Sequence, residues 1–299
     1  MPKRTNDFQR LVYLVRVNLA DGAIVTESKM LEDRATGTMR EVDVCIEGSV
    51  GGQGVIVSVE CRDHQRVADV TWVEQLKVKH DRLPTNALIL TSRAGFTPEA
   101  REVARLYGIQ TFSLDDIESA DFKSLFGFDS SLWAKSVTVS ANKVTVSVLP
   151  METFAEETVS VMPTNLIYTI EGQEVCQIGE LVQKLLSSPR VGDYLLEKGQ
   201  NDHVWFELDW EPPRDHLDRP LFMKKVDPPV LREIKKIHIQ GPSKFQIEKF
   251  EMGSGCIGDV HVAWGKTEIL GQDTMVVATK DSEGIRKMSV NFAGSPKQE

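Results

Sequence analysis

Two apolar segments separated by a glycine-rich loop constrain the fold of this chain more than any other feature. They read "REVDVCIEG" (40–48) and "VIVSVECR" (55–62), and the loop between them is "SVGGQG" (49–54). Both segments are rich in β-branched residues, as is typical of strands in a buried sheet. Two adjacent glycines suit the tight turn of a hairpin. We therefore predict an antiparallel hairpin whose turn is centred at Gly51–Gly52.

The segments on either side of this hairpin predict an α/β fold for residues 1–115. Apolar residues recur at helical spacing in the first segment, and Asp69 and Thr97 precede two further helical patterns as N-caps. The order α-β-β-β-α-β-α-β predicts a mixed sheet flanked by helices. In order, the elements are a helix at 6–20, strands at 23–31, 40–48 and 55–62, a helix at 68–83, a strand at 86–93, a helix at 97–108 and a strand at 109–114.

The second part of the chain has a different pattern. Residues 116–135 have a weak helical pattern and are interpreted as a connector. From residue 136 the segment "SVTVSANKVTVSVL" alternates strictly, as an antiparallel hairpin does. Further strand patterns follow at short spacing, interrupted by a helical segment near 178–199. We predict a mostly β domain over 136–299.

The net charge of −9 is unevenly distributed along the chain. Residues 1–115 carry 15 Lys and Arg against 16 Asp and Glu, so nearly all of the excess acid, a net of −8, lies in residues 116–299. This balance argues against a protein that coats nucleic acid non-specifically. A near-neutral first domain can still present a local basic face to phosphates. The acidic second part favours a protein partner or self-association (a homo-oligomer) over extended DNA contact.

The sequence also predicts a cytoplasmic protein without a membrane contact. No segment reaches the roughly 18 uninterrupted apolar residues that a membrane span needs. The apolar N-terminal stretch is interrupted by Arg16 and Asn18, and no small-residue cleavage site follows it. The four cysteines are scattered with no C-x-x-C pair, and Cys45 and Cys61 lie within apolar strand patterns. We therefore interpret these two as buried thiols and not as zinc ligands or a disulfide framework.

Two acidic residues occupy matched positions on the predicted hairpin. Strand alternation places Glu60 and Arg62 on one face, and a turn centred at Gly51–Gly52 places Asp43 opposite Glu60. Directly opposite residues have Cβ atoms roughly 4.5–5.5 Å apart. Two carboxylates at that separation repel one another unless a proton or a cation lies between them. A hard divalent ion such as Mg²⁺ accepts such ligands, and it can polarise a phosphodiester. The alternative is that both acids are simply solvated at a strand edge.

The pattern of Asp43 followed by Glu60-Cys61-Arg62 resembles the signature of the PD-(D/E)xK nucleases. The next segment, "RVADVTWVEQLKVKHDRLPTNALILTSRAGFTPEAREVARLYGI", is similar to the Mrr-like catalytic domain of type IV restriction endonucleases. The resemblance covers about residues 6–114. It implies a restriction-endonuclease-like fold, Asp43 and Glu60 as ligands of Mg²⁺ or Mn²⁺, and hydrolysis of phosphodiester bonds in double-stranded DNA.

The chain departs from this signature at two positions. Arg62 stands where the signature has lysine, and Gln9 stands where many relatives have a helical glutamate. Arginine stabilises negative charge, but its pKa is too high for proton exchange with water. Lys79 shares the helical stripe of Trp72, because seven residues bring the helix back to within about 20°. Lys79 therefore either replaces the missing strand lysine or extends along apolar surface to reach solvent.

These observations leave three functional hypotheses open. The first is a Mg²⁺-dependent restriction-type endonuclease in which Asp43, Glu60, Arg62 and Lys79 form the catalytic site. The second is a catalytically degenerate nuclease fold that binds DNA or a protein partner without cutting. In the third, the chain serves a toxin or phage-defence assembly, with the β-rich domain as its interaction module. The presence of both Asp43 and Glu60 favours the first hypothesis, whereas the departures at Arg62 and Gln9 support the second.

Overall fold

A computed structural model describes residues 6–116, 122–127, 131–150, 155–198, 203–225 and 230–292. The chain has the predicted mixed α/β character, with helices flanking a mixed sheet and a mostly β region later in the sequence. It divides into two compact units. The first joins Met1–Trp133 to Glu248–Glu299, and the second is Ala134–Ile247.

The elements of the first unit, numbered along the whole chain, are α1 (Asp7–Leu19), β1 (Ile24–Glu32), β2 (Met39–Val50), β3 (Gln53–Arg62), α2 (Val70–His80), β4 (Ala87–Ser92), α3 (Pro98–Leu106), β5 (Gln110–Asp116), α4 (Phe122–Phe126), β14 (Glu251–Ile257), β15 (Val260–Ile269), β16 (Gln272–Lys280) and β17 (Arg286–Phe292). Its strands form a nine-stranded sheet of order β1-β2-β3-β4-β5-β14-β15-β16-β17. The pairs β3–β4 and β4–β5 are parallel, whereas the other neighbouring strands are antiparallel.

Local signals in the sequence account for the helices of this unit. The side chain of Asn6 accepts a hydrogen bond from the amide of Gln9 and caps α1. Asp69 and Thr97 cap α2 and α3 in the same way, as predicted. Each cap satisfies an amide that the first turn of a helix leaves unpaired. The predicted order α-β-β-β-α-β-α-β is confirmed.

The β2–β3 hairpin has the predicted turn and register. Gly51 and Gly52 both have positive φ, 58° and 81°, as a two-residue turn of this hand requires. Val44 pairs with Val59 at the far end of the ladder. Extended by one position, the same register places Asp43 opposite Glu60, as the turn predicts.

The last four strands belong to the first unit, which differs from the predicted domain at 136–299. Strand β14 pairs with β5, so β14–β17 extend the N-terminal sheet. Helix α1 covers the extension: Phe8 and Leu11 share a buried cluster with Met275 and Val277. The buried Arg10 guanidinium donates hydrogen bonds to Asp273 and Asn291. Strand patterns do not specify which strands pair, which explains why the sequence analysis placed these strands in the second domain. The predicted connector at 116–135 lies partly outside the described residues, which here include α4.

The second unit has its own core and sheet. The elements are β6 (Trp133–Val139), β7 (Lys143–Val148), β8 (Glu157–Ser160), β9 (Leu166–Tyr168), β10 (Glu174–Gln177), α5 (Ile178–Leu186), α6 (Pro189–Lys198), β11 (His203–Trp210), β12 (Phe222–Lys225) and β13 (Val230–Lys249). Six strands pair in the order β10-β9-β12-β13-β7-β8, and β6 and β11 also pair with β13.

The second unit carries only part of the acidity predicted for the second half of the chain. Residues 134–247 have 13 Lys and Arg against 16 Asp and Glu, a net charge of −3.

All four cysteines have free thiols; of the two predicted to be buried, Cys45 is buried and Cys61 is half-buried. Cys45 is buried within β2, and this burial raises the pKa of its thiol to about 11. No helix within the described residues is long and apolar enough to cross a membrane.

Candidate active site

Strand β3 separates an apolar face of the sheet from a polar one. Val57, Val59 and Cys61 contact the buried cluster that includes α1. Glu60, on the opposite face, contacts the end of α2. The alternation predicted for this strand is therefore observed, and it turns a carboxylate toward the second helix.

Two side chains from α2 hold the Glu60 carboxylate. The ammonium of Lys79 donates to Glu60 Oε1 at 2.6 Å, and His80 Nε2 lies 2.7 Å from the same oxygen. Glu60 and His80 are each only 6% exposed. Lys79 also donates to the backbone carbonyl of Glu41 at 2.7 Å. A buried carboxylate needs such donors, since an isolated buried charge is strongly unfavourable.

Asp43 lies on the neighbouring strand in a second carboxylate position. Its Oδ2 accepts a hydrogen bond from the amide of Cys61 at 2.7 Å. Burial raises the pKa of Asp43 to about 7, and the negative charge of Glu60 adds to this rise. The Cys61 amide and the charge of Lys79 oppose it. The two carboxylates therefore repel one another, as like charges in a poorly solvated site do.

Lys79 and Lys77 point in different directions from the same helix. Lys79 reaches Glu60, as expected from the stripe that it shares with Trp72. Lys77 instead bonds Asp81 one turn further along and lies over the ring of Tyr107. The two lysines are thus a natural matched pair, one in the site and one outside it.

Arg62 and Gln9, the two departures from the nuclease signature, have structural partners. The Arg62 guanidinium lies over the ring of Trp72, 5.5 Å from its centroid, and its buried Nε has no hydrogen-bond partner. Gln9 donates to the backbone carbonyl of Asp43 at 3.3 Å and to Ser28 Oγ at 3.2 Å. Gln9 therefore supports the strand that carries Asp43. Arg62 lies beside the site without contacting either carboxylate within hydrogen-bonding distance.

His80 is a site residue that the sequence analysis missed. Its Nδ1 lies 3.4 Å from Thr85 Oγ1, which in turn is 3.3 Å from Ser58 Oγ. A Thr85 hydroxyl that donates to Nδ1 leaves Nε2 protonated, and Nε2 then donates to Glu60. Its position in the sequence could have indicated that it is buried, because His80 follows Val73 by seven residues and lies on the same buried face of the helix.

The donor set fits a hard divalent cation at the level of the two carboxylates. Across the described part of the chain, no cluster of three or more His, Cys, Asp and Glu side chains is placed to hold a metal ion. The described contacts use one oxygen of each acid, Asp43 Oδ2 and Glu60 Oε1. The other oxygen of each acid accepts no hydrogen bond from a described residue and is not among the buried unpartnered atoms. Mg²⁺ commonly takes one or two carboxylates and completes its shell with water and phosphate oxygens.

Comparisons with known proteins do not extend this description. No protein-family model matches the chain, and no curated protein matches it significantly. A crystal structure titled as a protein of unknown function, AF1548, is similar over 36% of this chain and 58% of that chain, with 14% identity and a TM-score of 0.31. The matched region thus spans little more than half of that protein.

Proposed function

We propose that this chain is a metal-dependent DNA endonuclease of restriction type, which hydrolyses phosphodiester bonds in double-stranded DNA with Mg²⁺ or Mn²⁺. The observation that carries the proposal is the convergence of Asp43, Glu60 and Lys79, from two strands and a helix, at one partly solvated point. Because the sequence resembles the PD-(D/E)xK signature, we interpret this convergence as a metal-dependent nuclease site. A cytoplasmic location, where DNA is accessible, accords with this activity.

Each side chain has a role that its surroundings support. Asp43 and Glu60 would hold the ion through their unpaired oxygens, and the ion would supply Lewis acidity toward the phosphodiester and a nearby water. Lys79 would place its positive charge where negative charge develops on the phosphoryl group. His80 and the Cys61 amide fix the orientations of the two carboxylates, as outer partners of metal ligands commonly do. Arg62, next to Glu60 on the same face, would stabilise phosphate charge but not transfer a proton.

Plasmid cleavage tests the proposal directly. Supercoiled DNA should be nicked or linearised in Mg²⁺ or Mn²⁺, and excess chelator should abolish the reaction. Asp43→Asn and Glu60→Gln should each remove cleavage while the far-ultraviolet circular dichroism spectrum stays unchanged. Glu47→Gln, which changes an acid further along β2, is the matched control and should cut normally. Cleavage that persists in excess chelator, or in both site variants, would contradict the proposal.

The non-cutting alternative has its own supporting observation. Glu60 Oε1 is already bonded to both Lys79 and His80, so the site is internally compensated without a metal. A degenerate nuclease fold that only binds DNA or a protein would tolerate this arrangement indefinitely. Under this alternative, the protein retains duplex DNA but leaves plasmid intact at every Mg²⁺ and Mn²⁺ concentration tried.

A further inference from the structure

A small polar cavity lies in the first unit, beside the amino-terminal half of β5. Its volume is about 170 Å³. A water molecule occupies about 30 Å³ of liquid, so this space corresponds to roughly five waters. A phosphate group fits within this volume together with water. The cavity is lined by Phe96, Arg101, Thr111, Phe112, Ser113 and Gly258.

Arg101 gives this cavity an uncompensated positive charge. Within the described residues, its guanidinium forms no ion pair or hydrogen bond, although it is the cation that lines the cavity. Arg105, one turn further along α3, is instead bound to Glu102 through two hydrogen bonds. The planar guanidinium fork presents donors that match phosphate oxygens in pairs. Thr111 and Ser113 add hydroxyl groups from the neighbouring strand.

The strand register connects this cavity to the carboxylate site. Glu60 pairs with Leu90 on β4, and Leu90 pairs with Thr111 on β5. Thr111 therefore lies in the same row as Glu60, two strands away, or roughly 10 Å at the usual strand spacing. Directly paired strand residues point to the same face of a sheet, so Thr111 and Ser113 share the face of Glu60, whereas Phe112 points to the face covered by α1.

A second row, one step further along the strands, contains unpaired polar atoms. Arg62 pairs with Ser92, which pairs with Ser113 at the cavity. Arg62 Nε and Ser92 Oγ are both buried without a hydrogen-bond partner. Unpaired donors along the carboxyl ends of parallel strands mark the edge where ligands of such sheets usually bind. Polar side chains thus continue along this row from Arg62 through the buried Ser92 to Ser113 at the cavity.

We infer that this cavity is a phosphate-binding subsite, in which Arg101 with the hydroxyls of Thr111 and Ser113 takes a phosphate of the DNA backbone on one side of the scissile bond. The inference rests on the proposed nuclease function for the identity of its ligand. The anion chemistry itself rests on the free guanidinium and on the polar cavity. A bound backbone phosphate here would fix the direction in which the duplex crosses the carboxylate pair, because phosphate contacts set register without reading sequence.

Binding of a labelled 20-base-pair duplex, measured by fluorescence anisotropy in chelator at several salt concentrations, tests the subsite. Arg101→Gln should weaken binding about tenfold or more and should reduce the slope of log affinity against log salt by about 0.9, the value for one lost phosphate contact. Arg105→Gln, on the same helix, is the matched control and should bind like the parent. Unchanged melting temperatures exclude misfolding as the cause.

Titration of inorganic phosphate by calorimetry separates this inference from the proposed function. If the parent binds and cuts DNA but Arg101→Gln shows the parental affinity and salt slope, the subsite is wrong while the nuclease proposal stands. If the parent neither binds nor cuts DNA but binds inorganic phosphate in an Arg101-dependent manner, the anion site stands and its ligand is a free or small-molecule phosphate. If neither probe depends on Arg101, the inference is overturned.

Discussion

Lys79, in the last turn of α2, donates a hydrogen bond of 2.6 Å to Glu60 in strand β3. Under the proposed function, this ammonium takes the place of the lysine that the nuclease signature has on the strand. The Lys79 side chain is 23% exposed, so it is partly accessible to solvent. This contact makes Lys79 the first residue to test.

Lys79→Ala should lower the rate of DNA cleavage by on the order of 10²-fold or more, since removing one preorganised electrostatic stabiliser typically has this effect. DNA affinity should change little, because the Lys79 ammonium is already paired with the Glu60 carboxylate. Single-turnover cleavage at saturating DNA measures the rate separately from affinity. Lys77→Ala, on the outward face of the same helix, is the control and should be near-silent.

A Lys79→Ala variant that cuts at the parental rate would move the catalytic cation to Arg62. If Arg62→Ala then also cut normally, the site would have no cationic catalyst among its predicted residues. The non-cutting alternative would become the better account of any DNA binding.

His80 should act as a positioning residue for Glu60. His80→Ala removes the donor from the Glu60 carboxylate, and loss of such an outer partner typically costs 10- to 100-fold in metal affinity or activity. His80→Gln places an amide donor near the same point and should recover much of the loss. Calorimetric Mn²⁺ affinity and the separation of kcat from KM are the readouts. If both variants lose thermal stability but bind Mn²⁺ and cut like the parent, the role of His80 is structural only.

The features that the sequence predicted correctly are those specified by nearby residues. The caps Asp69 and Thr97, the hairpin turn and the register that places Val44 opposite Val59 each follow from a few adjacent positions. Lys79 could be placed because a helix fixes the direction of every residue once its apolar stripe is known. These local rules were sufficient to assemble most of the site.

The features that the sequence did not predict depend on contacts between distant segments. The pairing of β5 with β14 joins strands separated by the whole second unit, and neither strand pattern identifies the other. His80 was missed because a histidine on a helix does not indicate which carboxylate it will meet. Arg101 was missed because an exposed arginine has no unusual spacing, and only the cavity and the missing acidic partner make it informative.

The stability of the metal-free protein should fall as the pH rises from about 4 to about 7. Asp43 keeps its proton in the folded state up to a pKa of about 7, whereas an unfolded aspartate loses it near 3.8. The folded state therefore binds more protons in this window, and the free energy of unfolding decreases with pH by up to about 4 kcal/mol. Urea unfolding in chelator at several pH values measures the slope.

Asp43→Asn should remove this slope, because the amide is neutral at every pH and its oxygen still accepts from Cys61. Asp259→Asn, in the exposed turn between β14 and β15, controls for the general effect of removing one acid. A variant and a parent with parallel stability profiles between pH 4 and pH 7 would show that Asp43 does not carry the raised pKa.

The second unit should be removable without loss of the first. Its segment leaves and re-enters the first unit at neighbouring points, since the amide of Phe250 donates to the carbonyl of Leu132 at 2.9 Å. Replacing 134–247 by a glycine–serine linker of about four residues, a common hairpin loop length, should therefore give a folded protein. We expect cooperative thermal unfolding and retained metal-dependent cleavage, because the residues proposed for catalysis all lie in the first unit.

The isolated fragments 1–115 and 134–247 complete this test. Fragment 1–115 should fail to fold, because it exposes Phe8 and Leu11, which are buried against β16, and each such side chain contributes about 1.5–3 kcal/mol by burial. Fragment 134–247 has its own buried cluster and should fold, yet it should not retain duplex DNA at physiological salt, since its net charge is negative. Circular dichroism, thermal melting and gel shift measure these outcomes. A stably folded 1–115 fragment would show that the last four strands are an accessory to the N-terminal sheet and not part of its core.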